Sequence, residues 1–253
     1  MNGRSTKTLV LTGMMTALVF IATIAIRIPV PFTQGYIHAG DTMIFVAAAL
    51  LGPVPGMIAA GVGSALADLM GGYPQWVIPT LLIKGIMGYL MGIFVNFHAK
   101  KAKQRGTLIL AIFSALIVGF FFTLSRHGNL NPQLFIDGLE EVANADQASA
   151  MIAGVQGQLI AVLIGIPALT FLASTILNRK TGIKISGAVM IGMMIAGTWM
   201  VTGYYIAAGW MYGSFILPIF SIPWNVIQFV LGAVLGMIIL TALNRTNFKK
   251  YME

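Results

Sequence analysis

Of 253 residues, 58% are hydrophobic and only 9% are Asp, Glu, Lys or Arg, against about 25% charged in typical soluble domains, and the mean hydropathy is +0.88. A soluble fold is excluded: several charge-free stretches reach the roughly 18 residues that a helix needs to cross a bilayer core about 30 Å thick, so the fold class is all-α integral membrane protein. The net charge of +8 reports topology rather than a nucleic-acid partner, and with no cysteine in the chain there is no disulfide, thiol nucleophile or Cys-based metal site.

Arg4 and Lys7 precede the first apolar segment. Three more basic clusters follow: Lys100, Lys101, Lys103 and Arg105; Arg179, Lys180 and Lys184; Arg245, Lys249 and Lys250. The positive-inside rule places all four in the cytoplasm. Thr8 to Ile26 is too long for a signal-peptide core and has no small-residue cleavage site before Arg27 and the Pro29-Val30-Pro31 turn, so it is expected to be retained as helix 1. A polar loop through His38, Gly40 and Asp41 leads to Thr42–Ala67, which Gly52-Pro53-Val54-Pro55-Gly56 interrupts. Prolines and glycines there should end a helix. Trp76 to Val95 must bring Lys100–Arg105 back inside, so charge parity requires an even number of crossings before it. That predicts a hairpin of two short helices with its turn toward the cytoplasm.

Thr107 to Leu124 is expected to lead outward to Ser125–Gln156, which carries Asp137, Glu140, Glu141 and Asp146, four of the seven acidic residues. Within it Asn131-Pro132 reads as the N-cap and first position of a helix bearing Phe135, Leu139 and Val142, either a surface helix or a lid over a site. Leu159 to Leu177 returns, with a kink expected at Pro167. Ile185 to Ala208 leads out, an aromatic loop through Trp210 and Tyr212 follows, and Ile222 to Leu243 leads back. The expectation is one membrane domain over residues 1–253, eight spans and both termini cytoplasmic.

The chain has 29 glycines, well above average usage of about 7%, and many recur every fourth residue. The rows are Gly56, Ala60, Ser64, Asp68; Lys84, Gly88, Gly92; and Gln228, Gly232, Gly236. Small residues at this spacing let helix backbones approach where lipid provides no hydrophobic drive to association. Each row ends in a polar residue on its expected outer side, which predicts three buried faces converging on an outward-facing pocket.

A lysine near mid-helix costs roughly 2.5 to 3.5 kcal/mol on insertion scales, so Lys84 needs compensation. Two readings stand open: a buried pair with Asp41 or Asp68, or contact with an electronegative ligand group in a cavity whose wall also carries Trp76 and Thr80 at i, i+4, i+8. Asp41, following Gly40, also reads as an N-cap of helix 2. Asn225 and Gln228 are spaced i, i+3 beside Trp224, and such amides either bond another helix or read a ligand. Tyr204 and Tyr205 suit an interfacial belt, with room for one to point inward. The 16 methionines are scattered and His38, His98 and His127 lie apart, so no metal site is expected. No G-x-x-x-x-G-K-[ST] loop or H-E-x-x-H pair occurs, and nothing around Asp41 and Asp68 matches an intramembrane aspartyl protease; no enzyme activity and no cofactor are expected.

The order Gly40-Asp41, Leu51-Gly52-Pro53, Gly61-x-Gly63-Ser64-Ala65-Leu66-Ala67-Asp68-Leu69, Gly72-Tyr73-x-x-Trp76, Thr80-Leu-x-x-Lys84-Gly85-x-Met87-Gly88 and Pro223-x-Asn225-x-x-Gln228-x-x-x-Gly232 resembles the substrate-binding S component of energy-coupling factor (ECF) vitamin transporters. It is most similar to the branch that includes riboflavin and pyridoxine or hydroxymethylpyrimidine types. The resemblance covers roughly residues 8–98 (core helices 1 to 4) and 185–243 (the last two core helices). It implies a six-helix core, here carrying an inserted pair of spans over 107–177. It also implies uptake of a vitamin or precursor, energised by a separate transmembrane coupling subunit and two ABC-type ATPases. Family members dock to that subunit through small residues on helix 1; Gly13 and Ala17 match, and Ile21 interrupts the row. The family's ligand pocket, carried over, points to Asp41, Tyr73, Trp76, Lys84, Tyr204, Asn225 and Gln228. The alternative of a different class is a stand-alone secondary transporter coupled to protons through Asp41, Asp68 and Lys84.

Overall fold

The computed structural model describes residues 3–30, 35–95, 144–158, 187–215 and 217–246, with isolated positions from 115 to 126 and at 160–161. Six helices dominate: α1 (Gly3–Ala25), α2 (Gly40–Leu51), α3 (Pro53–Gly71), α4 (Val77–Val95), α5 (Gly187–Met211) and α6 (Ile222–Arg245). Between α1 and α2 runs an antiparallel hairpin, β1 (Arg27–Pro29) against β2 (Tyr36–His38), with Arg27 opposite His38 and Pro29 opposite Tyr36. The polar loop expected at this point is therefore a strap of paired strands. Short 3-10 turns, Pro74–Trp76 and Leu217–Ser221, lead into α4 and α6.

Among the described residues, five helical stretches are long and apolar enough to cross a membrane, and Gly40–Leu51 is shorter. At about 1.5 Å per residue, the 12 residues of α2 reach only about 18 Å, short of a 30 Å core. Of the eight spans expected, the described residues show five long helices plus α2. Most of 107–124, the helix expected from Asn131, and the kink at Pro167 lie outside the described residues.

The expected turn at 52–56 contracts to a single residue. Gly52, at φ 84°, links α2 directly to α3, and Pro53 occupies the first turn of the new helix. Proline is tolerated there because the first helical N–H groups have no intrahelical acceptor to lose. α3 consequently runs for 19 residues and is a full-length helix rather than half of a short hairpin.

α3 packs against α4 and α1, α4 against α5, and α2 against α6. The small-residue rows are the contact lines. A Cβ built on Gly88 would stand 2.6 Å from the Gly56 carbonyl oxygen and 2.9 Å from the Ala60 Cβ, and one on Gly61 would stand 2.7 Å from the Leu81 carbonyl oxygen. A Cβ on Gly232 would meet the Asp41 Cβ at 2.8 Å, so α6 lies directly on the start of α2. Around these seams Phe45, Ile44, Met87, Met91, Met193 and Phe229 form the core. Residues 145–158 are also helical; the Asn144 side chain accepts from the Gln147 N–H at 2.9 Å, an N-terminal cap, and buried Ala148, Ile152 and Val155 join the same core.

The seam predicts opposite signs for one substitution. Gly88→Ala gains helix propensity of roughly 1 kcal/mol, but overpacking against backbone costs about 1–3 kcal/mol, so a net loss of up to about 2 kcal/mol is expected. At Gly13 an added methyl would meet nothing within 4 Å among the described residues, so the same change there should gain stability. Thermal unfolding in detergent checks both, and a stabilised Gly88→Ala variant would contradict the packing.

Candidate functional site

The hairpin, the C-terminal ends of α3 and α5 and the N-terminal ends of α2, α4 and α6 meet at one end of the bundle. A pocket opens there, about 560 Å³ with its open mouth counted. The hairpin and its flanks contribute Val30, Gly35, Tyr36 and His38; α3 gives Asp68; the turn before α4 gives Trp76 and the start of α4 Thr80; α5 gives Tyr204 and Ala208, and Tyr212 follows its last residue; and Ser221, Asn225 and Gln228 come from α6 and the turn before it.

Beneath this wall lies a buried charge pair. Lys84 Nζ donates to Asp41 Oδ1, with both side chains fully buried. Gln228 Nε2 donates to Asp41 Oδ2 at 3.0 Å, while Gln228 Oε1 accepts from the His38 backbone N–H at 3.0 Å. One glutamine thus ties α6 to both α2 and the hairpin. Asp41 does not cap α2: Ala39 holds the N-cap position with no side-chain cap, because the carboxylate is committed to Lys84 and Gln228. Of the acids available to Lys84, the partner is Asp41, and neither member of the pair lines the pocket.

Gly40 joins the strap to α2. A Cβ there would collide with Thr23 Oγ1 and stand 2.8 Å from His38 Nδ1, so the closing approach of α1, strap and α2 requires glycine. The Gly40 N–H donates to His38 Nδ1 at 3.0 Å.

Aromatic rings form the upper wall. Trp76 packs tilted on Tyr204 at 5.6 Å and edge-on to Tyr212 at 6.4 Å. The Tyr204 hydroxyl shares a hydrogen bond with Thr80 Oγ1 at 3.0 Å, and Lys84 Nζ lies 5.4 Å from the Tyr204 ring centroid. Tyr205 instead donates to the Phe215 carbonyl at 3.0 Å, so of the tyrosine pair Tyr204 is the one that turns inward. Tyr36 donates to Asp68 Oδ1 at 2.6 Å. Behind it Tyr73 packs tilted at 4.7 Å, and Arg27 lies over the Tyr36 ring at 5.7 Å while donating to the Gly71 carbonyl at 3.1 Å.

A family model described as ECF-type riboflavin transporter, S component, matches residues 3–174 and 168–245. The chain belongs to this family. It is accordingly a membrane protein of a transporter S-component family. An "uncharacterized protein in gap 3'region" of Pyrococcus woesei is 51% identical over 76 residues, 30% of this chain and 51% of that protein. A UPF0397 protein of Streptococcus agalactiae is 30% identical over 97 residues, 38% of this chain and 52% of that protein. The chain spans about half the length of the curated relatives it matches. No solved structure matches.

Of the seven residues expected in an S-component pocket, Trp76, Tyr204, Asn225 and Gln228 stand in the wall. Asp41 and Lys84 lie behind it, and Tyr73 backs Tyr36. Asn225 Nδ2 reaches Ser221 Oγ only at 3.5 Å, a weak bond. Tyr36, His38 and Tyr212 escaped the sequence reading as wall residues. No local periodicity marks a three-residue strand, and its pairing with Arg27–Pro29 is what lays Tyr36 over Asp68. The Tyr36 hydroxyl is pushed above its ordinary range by burial and by the adjacent Asp68 carboxylate.

Burial, with the Lys84 charge, pushes half-buried His38 down to about 3, opposed only by Asp41. The native imidazole is therefore neutral, as its acceptor role at Nδ1 requires. An unfolded histidine titrates near 6.5, so between about pH 6.5 and 3 the unfolded chain binds a proton that the native state refuses, and stability falls as pH falls through that window. At pH 5 the loss is at most about 2 kcal/mol relative to pH 7.5. His38→Asn keeps an acceptor for the Gly40 N–H and should flatten this pH dependence. Parallel slopes for wild type and variant in thermal melts at pH 7.5 and 5 would show that His38 does not carry it.

Proposed function

We propose that this chain is the high-affinity substrate-binding subunit of an ECF-type ABC transporter that imports a vitamin or vitamin precursor of the riboflavin, pyridoxine or hydroxymethylpyrimidine type. The observation that carries the reading is the aromatic pocket at the end of the bundle where α1, α3 and α5 finish. All four basic clusters adjoin the opposite ends of the helices, so the positive-inside rule turns the pocket outward and both termini toward the cytoplasm. Ligand recognition falls to the wall residues Trp76, Tyr204, Asn225 and Gln228. Asp41 and Lys84 hold the wall from behind, and Tyr73 supports Tyr36. The inserted region 107–177 is read as two further spans beside this core.

Uptake on this reading needs a transmembrane coupling subunit and two ATPases. They dock on α1, where Gly13, Met14, Ala17 and Leu18 are exposed and Gly13 and Ala17 offer the small residues. Purified chain should bind its vitamin ligand, yet vesicles holding this chain alone should show no uptake, with or without a proton gradient. Proton-driven accumulation by the isolated chain would replace the proposal with the secondary-transporter reading, in which Asp41, Asp68 and Lys84 handle the proton.

A further inference from the structure

Asp68 is 5% exposed and lines the pocket. One of its oxygens, Oδ1, accepts from Tyr36, but Oδ2 is buried without a hydrogen-bond partner among the described residues. The Thr80 hydroxyl stands near the carboxyl and shares a hydrogen bond with Tyr204 at 3.0 Å, but it makes no hydrogen bond to Oδ2. A buried acceptor left unsatisfied is costly, and what would satisfy it is a donor.

The surroundings narrow the kind of donor. Among the described residues the pocket wall holds one acidic side chain, Asp68, and no Lys or Arg. The nearest cation there, Lys84, is neutralised by Asp41 behind the wall, and Arg27 is spent on the Gly71 carbonyl and the outer side of Tyr36. Sharing the pocket wall with the carboxylate are the aromatic residues Tyr36, Trp76, Tyr204 and Tyr212, a type of side chain that attracts a cation and packs on a flat ring. A phosphate would meet a carboxylate here with no basic side chain in the described wall to balance it.

We propose that the pocket selects an unphosphorylated, cationic nitrogen heteroaromatic, and that Asp68 is the specificity-determining residue, its Oδ2 accepting from the ligand's N–H or balancing its ring charge. This rests on the binding-subunit reading and names the substrate class within it.

The test is calorimetric titration of the full chain in detergent at pH 7.5 with thiamine, pyridoxamine, their phosphate esters and neutral riboflavin. At least one of the two cations should bind tenfold or more tightly than its own phosphate ester and than riboflavin. Asp68→Asn, whose amide oxygen still accepts from Tyr36, should weaken that cation tenfold or more. Tightest binding of riboflavin, equal binding of the phosphate ester, or a variant with wild-type cation affinity each overturns the assignment while leaving a vitamin-binding subunit intact. No binding by any of the five compounds overturns both. Should Asp68→Asn fail to fold, the wild-type ranking decides alone.

Discussion

Lys84→Met is expected to destabilise the protein by about 3–5 kcal/mol, because it strands the fully buried Asp41 carboxylate without its cationic partner. Methionine matches lysine in length and apolar bulk, so the loss reports charge and not a cavity. For a chain of this size the midpoint of thermal unfolding should fall by on the order of 10 °C. Asp41→Asn alone should also destabilise, since it leaves the buried ammonium unpaired. Combined with Lys84→Met it should recover most of the loss, because the Asn oxygen still accepts from Gln228 Nε2, the donor that Asp41 Oδ2 now uses at 3.0 Å. The double variant also separates the two roles open to Lys84. With the pair behind the wall, restored stability should come with retained ligand affinity. Restored stability with lost affinity would place the ammonium on the ligand, and an undiminished midpoint in Lys84→Met would remove the structural role altogether.

Gly13→Leu and Ala17→Leu should abolish uptake by the assembled transporter while leaving ligand binding by the isolated chain unchanged. Neither position touches the pocket. Gly13 has nothing within 4 Å of a built Cβ among the described residues, and its neighbours Met14 and Leu18 are 58% and 42% exposed, so a leucine meets no steric barrier from them. Replacing glycine in a helix even contributes roughly 1 kcal/mol. What a leucine would obstruct is the close approach of a second membrane protein, where small residues set the helix separation. Transport in vesicles with the coupling subunit and ATPases, set beside binding to the purified variants, checks this. Normal uptake would mean that this face of α1 meets lipid only, and lost binding would mean that α1 shapes the pocket.

How far the sequence reached depended on the range of the force involved. Hydropathy and periodicity act within one helix, so α1, α4, α5 and α6 were legible as apolar segments. The rows at Gly56, Gly88 and Gly232 were legible as packing seams too, because a residue's size and spacing are local properties. Gly52 was half legible: proline and glycine announced a break, but only the backbone shows that one left-handed residue makes it and that Pro53 begins a helix rather than ending one.

Choice of partner was not local. Asp41 and Lys84 are separated by 43 residues, Asp41 and Gln228 by 187, and His38 and Gln228 by 190. The sequence could require that a mid-helix lysine be compensated, and could offer two acids. Tertiary structure chose Asp41, because glycine at 232 lets α6 lie on the first turn of α2 and deliver Gln228 to the same carboxylate. That choice leaves Asp68, the acid not taken, in the pocket wall under Tyr36 with one oxygen unsatisfied. Composition and spacing thus determined a helical membrane protein with buried polar groups at the ends of small-residue seams. Which of those groups cancel one another, and which keeps a buried oxygen unsatisfied, was decided only when the helices met.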